Sequence, residues 1–172
     1  ILKKGDLCIF TGGGLISKEV LDYFSEGIIN IHMGPLPQYK GMDVVEAPIL
    51  DGAFNNIALT AHIMESELDA GPLIAEMKFI TDEYESLSEL RNEMGAMMPI
   101  IAVESILSVL SYDGNLIKQE PTGQQYYFIH PRLREIISKV MSLRFESFKL
   151  SNTNNRQNQL KSFELLVSAL KK

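Results

Sequence analysis

The stretch GIINIHMGPLPQYKG, Gly27 to Gly41, decides the fold. It opens as an apolar run rich in β-branched residues, Gly27–His32, which reads as a strand. It then breaks into a loop over Met33–Met42, where Gly34, Pro35, Pro37 and Gly41 punctuate the chain. Upstream, the apolar run Leu7–Thr11 lies between Lys4-Gly5-Asp6 and Gly12-Gly13-Gly14 and reads as a buried strand. Between the two, Ser17–Phe24 reads as a helix, with Ser17 placed to cap it and Val20, Leu21 and Phe24 on one face. Strand, short helix and strand is the βαβ rhythm of a parallel sheet. The expected class is α/β, a partial Rossmann-like, mostly parallel sheet with flanking helices.

Downstream, Asp43–Leu50 reads as helix, and Asp51-Gly52 and Asn55-Asn56 mark turns. Ile57–Met64 and Pro72–Ile80 read as strands joined by the acidic segment Glu65–Gly71. Ser86 and Glu89 form a capping box for a long helix. Its stripe is Leu87, Leu90, Met94, Met97 and Ile101, then Val103, Leu107 and Leu110, with a kink at Pro99. Asp113-Gly114 is a turn and Pro131–Phe148 a further helix. Ser151–Gln159, polar and rich in Asn and Gln, reads as a linker to a short amphipathic helix, Leu160–Leu170. This divides the chain into 1–112, 113–150 and 151–172.

Composition narrows the function. The chain has 172 residues, 45% of them hydrophobic, enough for one globular core. Its formal charge of -6 argues against DNA or tRNA as the main partner. The tail is the exception: Arg156, Lys161, Lys171 and Lys172 oppose Glu164 alone. The single cysteine, Cys8, excludes an intrachain disulfide and points to a reducing compartment, hence the cytoplasm. The apolar run Met97–Leu110 is interrupted by Pro99 and Glu104 and reads as too short and broken to span a bilayer. No signal-peptide pattern opens the chain, which begins at Ile1.

Asn30 and His32, two residues apart at a strand end, put both side chains on one face. The carboxyl end of a parallel strand is where ligands bind. There an amide and an imidazole can address one carbonyl oxygen as hydrogen-bond donors. The same spacing is met by a strand end with a hydrogen-bonded histidine and a turn-forming asparagine. Asp69 is open in the same way: a solvated acidic turn, or a carboxylate turned inward to pair with His32. Gly12-Gly13-Gly14 follows a strand, but Ser17 takes the third glycine position of a dinucleotide loop and no acidic residue ends the next strand, so NAD(P) is rejected. His32, His62 and Asp69 could be read as a metal site, but no HExxH, HxH or CxxC spacing supports one. His62 reads instead as a hydrogen-bonded core histidine, and His130, before Pro131, as structural.

Two separated motifs carry a resemblance. IINIHMGPLPQYKG (Ile28–Gly41) and, after it, LTAHIMESELDAGPLI (Leu59–Ile74) resemble the folate-dependent formyltransferases, whose members act on glycinamide ribonucleotide, methionyl-tRNA or amino sugars, and the related formyltetrahydrofolate hydrolase. The shared pattern is Asn-x-His, a Leu-Pro loop ending in aromatic-basic-Gly, and His-x6-Asp-x-Gly. It falls on Asn30 and His32, on Leu36-Pro37 and Tyr39-Lys40-Gly41, and on His62, Asp69 and Gly71. PTGQQYYFIHPRL (Pro121–Leu133) resembles, more loosely, the segment C-terminal to the catalytic domain in the amino-sugar and methionyl-type members.

The resemblance implies 10-formyltetrahydrofolate as formyl donor, no metal, and Asn30, His32 and Asp69 as catalytic residues. A protonated His32 and Asn30 would hold the oxyanion, with Asp69 supporting the imidazolium. Gly14, Leu15 and Ile16 would hold the pterin, and Met64, Glu65, Ser66, Glu67 and Leu68 the second side of the folate. The expected acceptor is a small primary amine, a nucleotide-linked amino sugar first and glycinamide ribonucleotide second. A homodimer stays open. The family's N-terminal βα units do not precede Leu7, so a longer native N-terminus is expected, and without it the Leu7 strand would be an exposed edge. The loop Met33-Gly34-Pro35-Leu36-Pro37 departs from the Ser-Leu-Leu-Pro of many members. The competing readings are a hydrolase and a non-catalytic folate-binding remnant.

Overall fold

The computed structural model describes residues 6–12, 14–111 and 116–170. Its elements are β1 (Cys8–Phe10), α1 (Lys18–Tyr23), β2 (Ile28–His32), β3 (Tyr39–Gly41), α2 (Glu46–Leu50), β4 (Ile57–Ile63), β5 (Leu73–Phe79), α3 (Leu87–Leu110), β6 (Gln124–Tyr126) and α4 (Pro131–Leu170). The α/β class and the flanking helices stand as read. The Asp113-Gly114 turn lies outside the described residues.

The main sheet runs β1-β2-β4-β5. Only β1 and β2 are parallel; β2–β4 and β4–β5 are antiparallel. The sheet is therefore mixed rather than mostly parallel. The cause is local: the short Met64–Pro72 connection returns β5 beside β4 as a hairpin, which only an antiparallel pair allows. Among the described residues β1 has one neighbour, so it is an edge strand. A second, two-stranded sheet pairs β3 with β6 in parallel. This was not foreseen, because β3 lies inside the loop read over Met33–Met42.

Helix α3 covers the sheet with Leu87, Leu90, Met94 and Ile101 in the core beside Ile29, Ile57, Leu59 and Ala61. Ser86 Oγ accepts from Glu89 N–H, as the capping box requires; the returning Glu89 carboxylate accepts from Glu85 N–H rather than from Ser86. Ser17, by contrast, makes no side-chain capping bond, and Val20 on α1 is exposed. The α3 helix is continuous through Pro99. Beyond Ile101 the buried face continues through Ser105, so Val103, Leu107 and Leu110 point outward instead of extending the stripe. The apolar run Met97–Leu110 lies within the 24-residue α3, whose most apolar 18-residue window has a mean hydropathy of 1.6. By length and composition alone that passes for a membrane span, as core helices also do, and α3 packs Leu87, Leu90, Met94 and Ile101 into the core.

Helix α4 is a single 40-residue helix. Residues 151–159 are thus helical backbone, not a linker; their Asn and Gln side chains do not prevent helix when both neighbours are already helical. An ion cluster ties α4 to the rest. Buried Glu46 on α2 meets Arg91 of α3 at 2.7 Å and Arg134 of α4 at 3.6 Å. Asp43, in a left-handed conformation at φ 51°, meets Arg134 at 2.8 Å and accepts from Ile129 N–H.

Candidate active site

β2 delivers Asn30 and His32 to one face, and both are buried. Asp69 arrives from the β4–β5 connection in a left-handed conformation, φ 48°, which turns its carboxylate inward. Of the two readings of Asp69, the inward carboxylate is the one found. Its turn is fixed from two sides. Gly71 packs so closely on Ile63 that a Cβ would run into the Ile63 carbonyl oxygen. Gln119 Nε2 donates to the carbonyls of Asp69 (3.0 Å) and Gly71 (2.6 Å).

Asp69 is the hub. Its Oδ2 lies 3.7 Å from His32 Nδ1 and accepts from Gly41 N–H at 2.8 Å; its Oδ1 lies 3.6 Å from His62 Nε2. Burial alone would raise its pKa, but the flanking imidazoles, whenever they carry a proton toward it, and the Gly41 N–H outweigh it and hold the carboxyl below its ordinary range. His32 donates from Nε2–H to the Tyr39 carbonyl at 2.9 Å, which turns Nδ1 toward Asp69. Burial pushes the His32 pKa down, with Asp69 and the Tyr39 carbonyl pulling against it. Gly34 sits against this ring: a Cβ there would crowd Val44 and His32 Nε2. Thr60 Oγ1 donates to Gly34 O at 2.7 Å and keeps the loop in place.

His62 is the residue that the sequence placed least well. It is a buried, hydrogen-bonded histidine as expected, but it is the registered antiparallel partner of Asn30, and its Nε2 lies 3.1 Å from Asn30 Nδ2. His62 Nδ1–H donates to Ile63 O at 3.0 Å, so Nε2 is the accepting nitrogen. Reading the sheet as parallel hid this pairing; the two-residue spacing of Asn30 and His32 alone could not reveal it.

These groups open on one cavity of about 510 Å³. Every residue expected to hold the folate lines it: Gly14 (φ 119°), Leu15 and Ile16 from the loop after β1, and Met64, Glu65, Ser66, Glu67 and Leu68 from the β4–β5 connection. Gln125, Tyr126 and Tyr127 line it as well and were not foreseen. Tyr126 stacks on Tyr39 with centroids 5.2 Å apart, and both hydroxyls donate to Asp51 Oδ2. Burial and Asp51 push the Tyr126 pKa up to about 12, so the hydroxyl stays a donor. Among the described residues no three His, Cys, Asp or Glu side chains are placed to hold a metal ion.

Comparison with known proteins gives a coherent picture. Residues 4–106 match the sequence profile of the family described as Formyl transferase. A methionyl-tRNA formyltransferase of Borrelia garinii subsp. bavariensis is 28% identical over 100 residues, 58% of this chain and 31% of that protein. One from Fusobacterium nucleatum is 34% identical over 136 residues, 77% of this chain and 42% of that one. The chain spans 31% to 47% of the length of such curated relatives. In fold it is similar to the formyltransferase PseJ from Anoxybacillus kamchatkensis, solved with UDP-4,6-dideoxy-4-formamido-L-AltNAc and tetrahydrofolate. The TM-score is 0.62 at 22% identity, over 70% of this chain and 64% of that one.

Proposed function

The chain belongs to the formyl transferase family, and from that premise we propose that it moves a formyl group from 10-formyltetrahydrofolate to the primary amine of a small acceptor. The observation that carries the reading is the convergence of Asn30, His32 and Asp69 on a cavity whose walls include the two loops expected to hold the folate. The donor supplies an activated formyl carbon; the residues of this chain bind it, hold charge and move a proton.

Asn30 Nδ2 carries two hydrogens. His62 Nε2 takes one, which leaves the second for the oxygen that gains charge as the amine adds. One such donor is worth about 2.7–4 kcal/mol. His32, kept neutral at rest by burial, accepts the proton released by the attacking amine, through a water, at Nδ1. The imidazolium then lies between the Tyr39 carbonyl and Asp69, its positive charge beside the oxyanion, until the proton passes to the leaving nitrogen. The new C–N bond forms, the old one breaks, and one proton has crossed. The order differs from a ring protonated at the outset, and the burial of His32 is the reason.

For the acceptor we place a nucleotide-linked amino sugar first. The net charge of -6 disfavours a polyanion such as tRNA, and PseJ, similar in fold, was solved with a nucleotide-linked sugar. The test is turnover of 10-formyltetrahydrofolate by the full-length protein with a panel of amine acceptors. His32→Ala and Asn30→Ala should each lose about 100-fold or more in kcat at unchanged folate affinity. Formate release at full rate without any amine would indicate hydrolysis instead, and wild-type turnover in His32→Ala would defeat the assignment.

A further inference from the structure

The walls assigned to folate leave one wall of the cavity unassigned, the segment Gln125–Tyr127, which lies beyond the residues matched by the family profile. The segment is fastened rather than laid on. β6 pairs in register with β3, Lys40 opposite Gln125. A Cβ on Gly41 would run into Tyr126 O and one on Gly123 into Pro37 O, so the two backbones touch where only glycine fits. Strand alternation then sorts the side chains. Tyr39 and Tyr126 stack on one face and are tied to Asp51. Lys40, Gln125 and Tyr127 fall on the other.

That second face is poorly satisfied. Tyr127 lines the cavity yet is 70% exposed, and among the described residues it has no hydrogen-bond or ring partner. Lys40 is only 13% exposed, while its carboxylate partner Glu67, 79% exposed, stands 4.0 Å away. Lys40 opens into a hollow of about 240 Å³ that shares Glu67, Leu68 and Gln125 with the main cavity. A mostly covered cation whose counter-ion stands 4.0 Å away shares a strand face with an unstacked aromatic ring at the edge of the cavity. A planar ring joined to a phosphate group satisfies both at once.

We propose that Tyr127 and Lys40 form the acceptor-recognition wall of this site, Tyr127 stacking on the base and Lys40 meeting the phosphate of a nucleoside-diphosphate-linked amine. This rests on the formyl-transfer reading for what the acceptor is used for, but it concerns binding alone and can be tested without turnover. Because Tyr127 is exposed and lies outside the core, its truncation leaves no buried hole.

The experiment is calorimetric titration of the full-length chain with UDP and ADP, with uridine, and with ribose 5-phosphate, alone and with folinic acid present. At least one nucleoside diphosphate should bind. Tyr127→Ala should weaken it about 5- to 150-fold, the range of base–aromatic stacking, while Tyr127→Phe stays near wild type. Lys40→Gln should weaken the diphosphate roughly tenfold and leave uridine unchanged. The proposal is overturned if neither diphosphate binds, if Tyr127→Ala binds as wild type does, if ribose 5-phosphate binds as tightly as UDP, or if the diphosphate competes with folinic acid. Absence of folinic acid binding would instead defeat the donor assignment, and the diphosphate titrations would still decide this one.

Discussion

His62 Nε2 accepts a hydrogen bond from Asn30 Nδ2 at 3.1 Å because His62 Nδ1–H is already committed to the Ile63 carbonyl. The backbone of β4 thus selects the tautomer, and the tautomer selects which end of the Asn30 amide faces the cavity. A His62→Gln variant can keep an accepting oxygen there; His62→Leu cannot, and leaves a buried amide without its partner. We expect His62→Leu to lose about 10- to 1000-fold in kcat with folate affinity retained, and about 1–3 kcal/mol in stability. His62→Gln should recover most of both. Steady-state kinetics and urea unfolding of the pair decide it, and equal activity in Leu and Gln would remove His62 from the positioning of Asn30.

The pH dependence comes from burial. Folded His32 holds its proton less readily than an unfolded histidine, so on acidification the unfolded chain takes up protons first. Stability therefore falls as pH drops from about 6.5 toward the depressed folded value, and Asp69, also depressed, extends the loss below about 4. His32→Gln should flatten the upper part of a plot of Tm against pH. In kinetics the acid limb of kcat/KM should lie below about 6.5, the ordinary histidine value. Asp69→Asn, which removes the charge that favours the imidazolium, should move that limb lower while reducing the rate. A limb above that ordinary value in the wild-type protein would contradict a neutral resting His32.

Two glycines separate close packing from mere flexibility. Gly71 has no room for a methyl group against the Ile63 carbonyl, whereas Gly95, inside α3, faces open space. Gly95→Ala should stabilise the fold by about 0.5–1 kcal/mol through helix propensity. Gly71→Ala should destabilise it by about 1–3 kcal/mol and displace Asp69, so activity falls along with stability. Denaturant unfolding and turnover measured on both variants test this; a neutral Gly71→Ala would mean the Asp69 turn is not set by that contact.

The elements built from local periodicity were legible in the chain: β2, β4, β5 and the start of α3 lie within a residue or two of where their apolar patterns place them. The candidate triad was legible only through the family resemblance: spacing puts Asn30 and His32 on one strand face but leaves their role, and that of Asp69, open. The hidden part was non-local. Strand direction depends on a return path, so the antiparallel β2–β4 pair, and with it the Asn30–His62 bond, could not be read from either strand. Residues Gln119, Gln125 and Tyr127 reach the site from distant parts of the chain and carry no periodic signal. The outward turn of Val103 and Leu107 was hidden for the same reason, since a helix stripe shows a period but not which turn loses its neighbour.

The Glu46 carboxylate offers the last test. It is almost fully buried and lies 2.7 Å from Arg91, which keeps part of its guanidinium in solvent. Removing the arginine leaves a buried charge, and such a break typically costs about 3–5 kcal/mol; Arg134, 3.6 Å away, compensates in part, so Arg91→Met should cost about 3 kcal/mol. Removing the carboxylate as well takes the stranded charge away. The double variant Arg91→Met, Glu46→Gln should therefore be more stable than Arg91→Met alone, although it has lost more polar contacts. Urea unfolding of the two single variants and the double variant measures the difference directly. If the double variant is the least stable of the three, the pair is held together by its own attraction rather than by the cost of leaving Glu46 unmatched.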